Sequence, residues 1–180
     1  MVRVVRYSLA EQAAAKNSAY MPRHQIDQTD LKLLAALQSN GRASNVELSK
    51  LAGITAPPCL RRVRTLEENG VIRGYHANVD PKKLGFHVIG FAYIGLVSQA
   101  EPELKTFTKL VRGWRIVREA YSLQGDVDYL LKCVARDLTE FQTFVTDILL
   151  TTSNVRTVKT SILFDTVKLD TGVPLLGAQS

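Results

Sequence analysis

Cysteine is scarce in this chain: 180 residues hold two, Cys59 and Cys133. They lie far apart, each among apolar neighbours, with no Cys-x-x-Cys pair and no Cys/His cluster. That spacing argues against a disulfide framework or a zinc site, and free buried thiols suit a reducing compartment. Histidine is nearly as sparse, and His24, His76 and His87 are scattered. No Ser/His/Asp arrangement, no paired catalytic carboxylates and no phosphate-cradling glycine loop accompanies them, so a catalytic constellation is missing. No cofactor or metal is called for. No apolar run approaches the roughly 20 residues of a membrane-spanning helix, and the N-terminus lacks a signal-peptide core. These absences set the expectation of a soluble cytoplasmic protein that is not an enzyme.

What the chain does have is a lopsided charge. The formal net charge is +6. Residues 1–84 carry 13 Lys and Arg against 7 Asp and Glu, whereas residues 85–180 carry 10 of each. The excess positive charge sits entirely in the first half, where a polyanion would be steered.

Residues 1–24 stand apart as a flexible extension of small and polar residues, with Arg3 and Arg6 available as a basic arm. Asp27 and Asp30 open a first helix, Leu31, Leu34 and Leu37 recur on one face beside Ala35, and Asn40-Gly41 stops it. Ser44 and Glu47 form a capping box for a second helix, with Val46, Leu48, Leu51 and Ala52 predicted inward. Gly53 makes a tight turn, Thr55 is placed to cap a third helix, and Pro57 and Pro58 fall in its first turn. Cys59, Val63 and Leu66 form that helix's buried stripe, which leaves Leu60, Arg61 and Arg64 outward and Arg62 on a flank. After Asn69-Gly70, residues Val71 to Val79 read as a strand pair turning near Gly74. The layout of residues 25–79 is a winged helix-turn-helix.

Residues 80–85 read as a linker and 171–180 as a C-terminal tail. Between them, 86–170 follow the order strand, helix, strand, strand, helix, strand. The expected elements are strands at Phe86–Val97, Ile116–Leu123, Tyr129–Ala135 and Val155–Phe164. The helices are expected at Pro102–Val111, burying Leu104, Phe107 and Leu110, and at Leu138–Leu150, burying Phe141, Phe144, Val145, Ile148 and Leu149. The fold class is therefore α+β: the winged helix-turn-helix, then a ferredoxin-like βαββαβ sandwich of the RAM/ACT-like kind, with both helices on one face. The uncovered face, with Tyr93 and Val97 nearby, calls for a second copy of the chain.

Several segments together resemble the Lrp/AsnC, or feast/famine, family of transcriptional regulators. They are Ile26-Asp27-Gln28-Thr29-Asp30 with Leu33-Leu34, Leu37 to Arg42, the turn Ala52-Gly53-Ile54-Thr55, Pro58 to Glu67 leading into Gly70-Val71-Ile72, and the loop Gly125-Asp126-Val127-Asp128-Tyr129. The resemblance covers roughly Gln25 to Leu169. It implies a sequence-specific regulator of double-stranded DNA that senses an amino acid bound between dimers. It also implies self-assembly into dimers and then a tetramer of dimers.

On that reading the recognition helix enters the major groove. Thr55, Ala56, Pro57 and Leu60 approach bases, and Arg61 and Arg64 reach guanine or phosphate. Arg62 holds a phosphate or braces the helix, and Ser44 and Arg73 take backbone phosphates. An amino-acid effector needs acceptors for its ammonium and exposed amides for its carboxylate. The loop at Leu123, Gly125, Asp126, Asp128 and Tyr129 offers both, with Thr152 and Ser153 on a neighbouring loop, although Gly-Asp is also an ordinary turn pair. Two other readings stay open: an architectural DNA binder that ignores effectors, and an enzyme built on the ferredoxin-like half.

Overall fold

Asp27 and Asp30 exchange hydrogen bonds across the start of the first helix. The Asp30 N–H donates to Asp27 Oδ1 at 2.9 Å and the Asp27 N–H to Asp30 Oδ2 at 3.2 Å, which satisfies two amides that would otherwise lack partners. The computed structural model describes residues 25–169 and 172–175. The 1–24 extension, with Arg3 and Arg6, lies outside them. The described residues form two compact units, one from 25–77 together with 172–175, the other from Asn78–Leu169.

In the first unit, α1 spans Gln28–Ser39, α2 Asn45–Ala52 and α3 Ala56–Glu68. Ser44 and Glu47 cap α2 as the sequence predicts, and Gly53 ends it at φ 69°, a left-handed conformation that glycine takes without steric penalty. Leu33, Leu48, Ala52 and Cys59 make the core, with Leu37, Ile54 and Val63 against it, and Leu66 is buried too. Two expectations for α2 fail: Val46 and Leu51 are 55% and 64% exposed. A helix of eight residues has one face to bury, and Leu48, Ser49 and Ala52 occupy it. In α1 the fully buried apolar position is Leu33, beside buried Asp30, with Leu31, Leu34 and Leu37 only partly covered.

Val71–Val79 forms no strand pair among the described residues. A lone two-stranded hairpin is marginal in water, and here a side chain anchors the segment instead. Tyr75 lies against Gly41, and its hydroxyl donates to Glu67 Oε1 at 2.9 Å. Burial, and then Glu67, pushes the phenol up to about 12. Of the expected tail, residues 172–175 belong to this unit. The Gln38 amide donates to the Val173 carbonyl at 3.1 Å and accepts from the Val173 N–H at 2.7 Å.

The second unit holds a short 3-10 turn (Lys82–Leu84), β1 (Val88–Leu96), α4 (Glu101–Gly113), β2 (Val117–Ser122), β3 (Tyr129–Ala135), α5 (Leu138–Thr143) and β4 (Val155–Ile162). All neighbours in the sheet order β2-β3-β1-β4 are antiparallel, the ferredoxin-like arrangement. Alternate residues Ala92, Ile94 and Leu96 of β1 and Tyr129, Leu131, Cys133 and Ala135 of β3 are buried beneath Phe107 and Val111 of α4 and Phe141 of α5. Leu104 packs at the margin of this core, while Leu110 is 39% exposed because it lies about 90° round the helix from the stripe.

Beyond α5 the helix widens into a π turn, Phe144–Leu149. The two buried residues of that turn, Phe144 and Leu149, are five apart, which matches i→i+5 bonding and rotates Ile148 out to 39% exposure. Burial pushes the Cys133 thiol up to about 12 and raises that of Cys59, so both cysteines are core residues. On the opposite sheet face lie Phe91 and Tyr93 of β1 and Leu130 and Val134 of β3, half-buried. There Glu119 Oε1 accepts from Lys132 Nζ at 2.7 Å.

Gly90 sits directly under Phe141. A Cβ at this position would lie 2.5 Å from the ring. Gly90→Ala is expected to displace the ring and cost roughly 1–3 kcal/mol, read as a fall in the thermal midpoint of the second unit.

Candidate DNA interface and ligand loop

The apolar stripe of α3 fixes which side faces outward. With Cys59 and Leu66 buried and Val63 packed beneath, Arg61 and Arg64 are exposed and Leu60 is 41% exposed. Pro57 and Arg73 are exposed as well, Ala56 is half-buried, and Ser44 is exposed with its hydroxyl engaged by the Glu47 N–H. Two cations on one open helix face, with no acidic residue in the first turn, make a surface suited to a polyanion.

Arg62 has a different task. Its Nη1 lies 2.7 Å from Asp27 Oδ2 and 2.9 Å from Oδ1 of Asp30, a carboxylate with no exposure at all. These hydrogen bonds, to Asp30 first and then to Asp27, raise the guanidinium's affinity for its proton. The carboxyl of Asp27 is held below the usual range, by the Asp30 amide first and by Arg62 as well. Of the two roles expected of Arg62, the structure shows the brace, between α3 and the start of α1. The two carboxylates were legible only as helix-opening groups, because a partner more than thirty residues away leaves no periodic trace.

Thr55 occupies the N-cap position of α3, but its side chain makes no capping bond. The nearest brace comes from Asn45, whose Nδ2 donates to the Ala56 carbonyl at 2.9 Å. Asn45 was not singled out from the sequence, where it reads only as an ordinary early-helix residue.

At the other candidate site, antiparallel pairing brings the C-terminal ends of β1 and β2 beside the N-terminal ends of β3 and β4. The loop residues 123–128, the segment 97–99 and residues 152–154 therefore gather at one end of the sheet. Gly125 (φ 148°) and Asp126 are exposed, Leu123 is 39% exposed, Ser153 is exposed and Thr152 is half-buried. The Thr152 hydroxyl donates to the Ile148 carbonyl at 2.6 Å.

Two sequence-predicted ligand contacts turn out to be structural. Asp128 is buried, accepting from the Leu96 N–H and from Gln99 Nε2, both at 2.6 Å. Tyr129 belongs to the core, its ring 4.8 Å from Phe107 and its hydroxyl 3.1 Å from that of Thr108. A third group, on the neighbouring loop 151–154 that was expected to offer hydroxyls and amides to the ligand, holds backbone as well. Asn154, left-handed at φ 69°, brackets the backbone of Ser98, donating to its carbonyl at 2.9 Å and accepting from its N–H at 2.8 Å. An Asn before a strand was the available signal, since Asn tolerates that conformation better than most residues.

Residues 26–73 match the family model for winged helix-turn-helix DNA-binding, and residues 90–173 match that for the Lrp/AsnC ligand binding domain. The chain belongs to the Lrp/AsnC family. A leucine-responsive regulatory protein of Rhizobium meliloti is 47% identical over 146 residues, covering 81% of this chain and 94% of that one. The Escherichia coli K12 protein of the same name is 35% identical over 84% and 93%. Among solved structures, a Neisseria meningitidis transcriptional regulator in complex with L-methionine superposes with a TM-score of 0.80 at 35% identity, covering 84% of this chain and 98% of that one. This Lrp/AsnC chain is a transcriptional regulator with a DNA-binding helix-turn-helix followed by a ligand-binding ferredoxin-like unit. No helix among its described residues is long and apolar enough to cross a membrane.

The brace and the open arginines are separable. Arg62→Ala removes the guanidinium from buried Asp30 and should destabilise the first unit by about 3 kcal/mol in thermal or urea unfolding. Arg61→Ala should leave that midpoint within about 0.5 kcal/mol of wild type.

Proposed function

We propose that this regulator reads duplex DNA with α3 and adjusts its binding in response to an amino acid held at the loop end of the ferredoxin-like sheet. The observation that carries the first half is the exposure of Arg61 and Arg64 on the side of α3 opposite its buried stripe, while Arg62 is spent on the brace. Thr55, Ala56, Pro57 and Leu60 lead into the major groove, and Ser44 and Arg73 flank it at the phosphates.

For the second half, Asp126 supplies a free carboxylate for an ammonium, and Gly125 lets a ligand carboxylate approach backbone amides. Leu123, Thr152 and Ser153 border that space. The Neisseria meningitidis relative was solved with L-methionine, as was a feast or famine regulatory protein of Mycobacterium tuberculosis, which supports an amino acid as the ligand class. Copies pair through the sheet face bearing Phe91 and Tyr93 and assemble further into a tetramer of dimers. Effector binding shifts that assembly or the placement of the DNA-binding units, and this is how it reaches the DNA.

The experiment is fluorescence anisotropy on the duplex upstream of the protein's own gene, across a salt series and a panel of amino acids. Affinity should fall steeply with salt, by a log–log slope of about −0.9 per phosphate neutralised, and Arg61→Ala/Arg64→Ala should flatten the slope by about 2. One amino acid should shift the curve, and Asp126→Asn should abolish that shift while leaving effector-free affinity unchanged. Binding unmoved by every amino acid would leave an architectural DNA binder, and no salt-sensitive binding to this or genomic DNA would refute the DNA-reading role.

A further inference from the structure

A helix-capping side chain accepts a hydrogen bond from the amide two or three positions inside the helix. In the three helices among the described residues that are capped by Asp or Ser, the third amide is the one taken. Asp27 accepts from Asp30, Ser44 from Glu47, and Asp137 from Glu140. In α3 the residues at those two positions are Pro57 and Pro58, and proline has no N–H to give. The Thr55 backbone keeps an ordinary capping conformation, φ −80° and ψ 160°, so geometry does not displace the hydroxyl; the donors are missing.

The result is an exposed hydroxyl at the leading end of the reading helix, with no capping bond to hold it. The first turn does not depend on that bond. The prolines fix its φ angles, and Asn45 holds the Ala56 carbonyl at 2.9 Å. The same prolines remove two of the amides that usually grip a phosphate and leave that of Ala56. At this end of α3, hydrogen bonding to DNA therefore leans more on a side chain, and the first residues of a recognition helix lie at base edges.

We propose that Thr55 is a specificity determinant of this regulator, its hydroxyl kept uncapped by Pro57 and Pro58, so that no capping bond fixes its orientation or occupies its lone pair and it can turn to a base edge in the major groove. Pro57 and Pro58 are positioning residues that act through Thr55. The inference rests on α3 being the DNA-reading helix.

The test starts by letting the full-length wild-type protein select its preferred site from a randomised duplex pool. Thr55→Val, Pro58→Ala and the double variant are then measured on that duplex and on copies with each base pair changed in turn, beside thermal unfolding. Thr55→Val should keep the wild-type midpoint and salt slope, bind the selected duplex about five- to tenfold more weakly, and lose discrimination at one base pair. Pro58→Ala restores an amide that can recapture the hydroxyl, so it should lose discrimination at the same base pair. In the Thr55→Val background it should add nothing, a non-additivity that stiffness alone would not produce.

A lowered midpoint in Thr55→Val would mean that the hydroxyl stabilises the helix after all, and would overturn the proposal. An equal loss on every duplex with a shallower salt slope would make the contact a phosphate one, with the same consequence. Unchanged binding by Thr55→Val, or additive effects in the double variant, would overturn this inference alone. A wild-type protein that binds no duplex would overturn the reading of α3 and this inference together.

Discussion

Arg62 reaches from the middle of α3 to the two carboxylates that open α1, and one of these, Asp30, is wholly shut off from solvent. A carboxylate in that position is expensive to bury unless a cation and hydrogen bonds compensate for its lost hydration. Once they do, the pair fixes how α3 lies on α1 more sharply than interchangeable apolar contacts among Leu33, Leu48 and Cys59 could. The outward face of α3 follows from that placement. Arg61 and Arg64 are open to a polyanion because Arg62 and the stripe below it are committed.

The loop end of the ferredoxin-like sheet is organised by a comparable device. The short segment after β1 is held from both sides, by Asp128 through Leu96 and Gln99, and by Asn154 through the Ser98 backbone. Polar side chains that close every available hydrogen bond stiffen a region that has little apolar surface to pack. Asp126, two residues from Asp128, remains exposed on this support, which is what the proposed ligand contact requires. Two aspartates of the same loop thus divide into one that builds the site and one that is available to use.

Much of this was legible along the chain. The helix start at Asp27 and Asp30, the capping box at Ser44/Glu47, the Cys59–Val63–Leu66 stripe, the strand Tyr129–Ala135 and the βαββαβ order all follow from periodicity and local chemistry. Where the reading went astray, a short helix or a change of helical pitch was responsible. Val46 and Leu51 are apolar yet exposed because α2 has one buried face, and Ile148 turns outward because the π register interrupts the 3.6-residue period. The strand pair expected at Val71–Val79 does not form for a related cause: a lone hairpin of strand-like composition is marginal in water, and Tyr75 anchors the segment to α3 through Glu67.

The sequence alone determined most element types, the two-part organisation and the family resemblance, since these rest on spacing, turn residues and motif order within short windows. It also determined that Pro57 and Pro58 withhold amides from Thr55, because that is a covalent fact. Only the tertiary structure decided what the polar groups do: Arg62 a brace, Asp128 a strut, Tyr129 a core ring, Asn154 a latch. The physical reason is that propensity and periodicity act between near neighbours in the chain. The partner of a charge or an amide is chosen by packing, across separations at which the sequence carries no pattern to read.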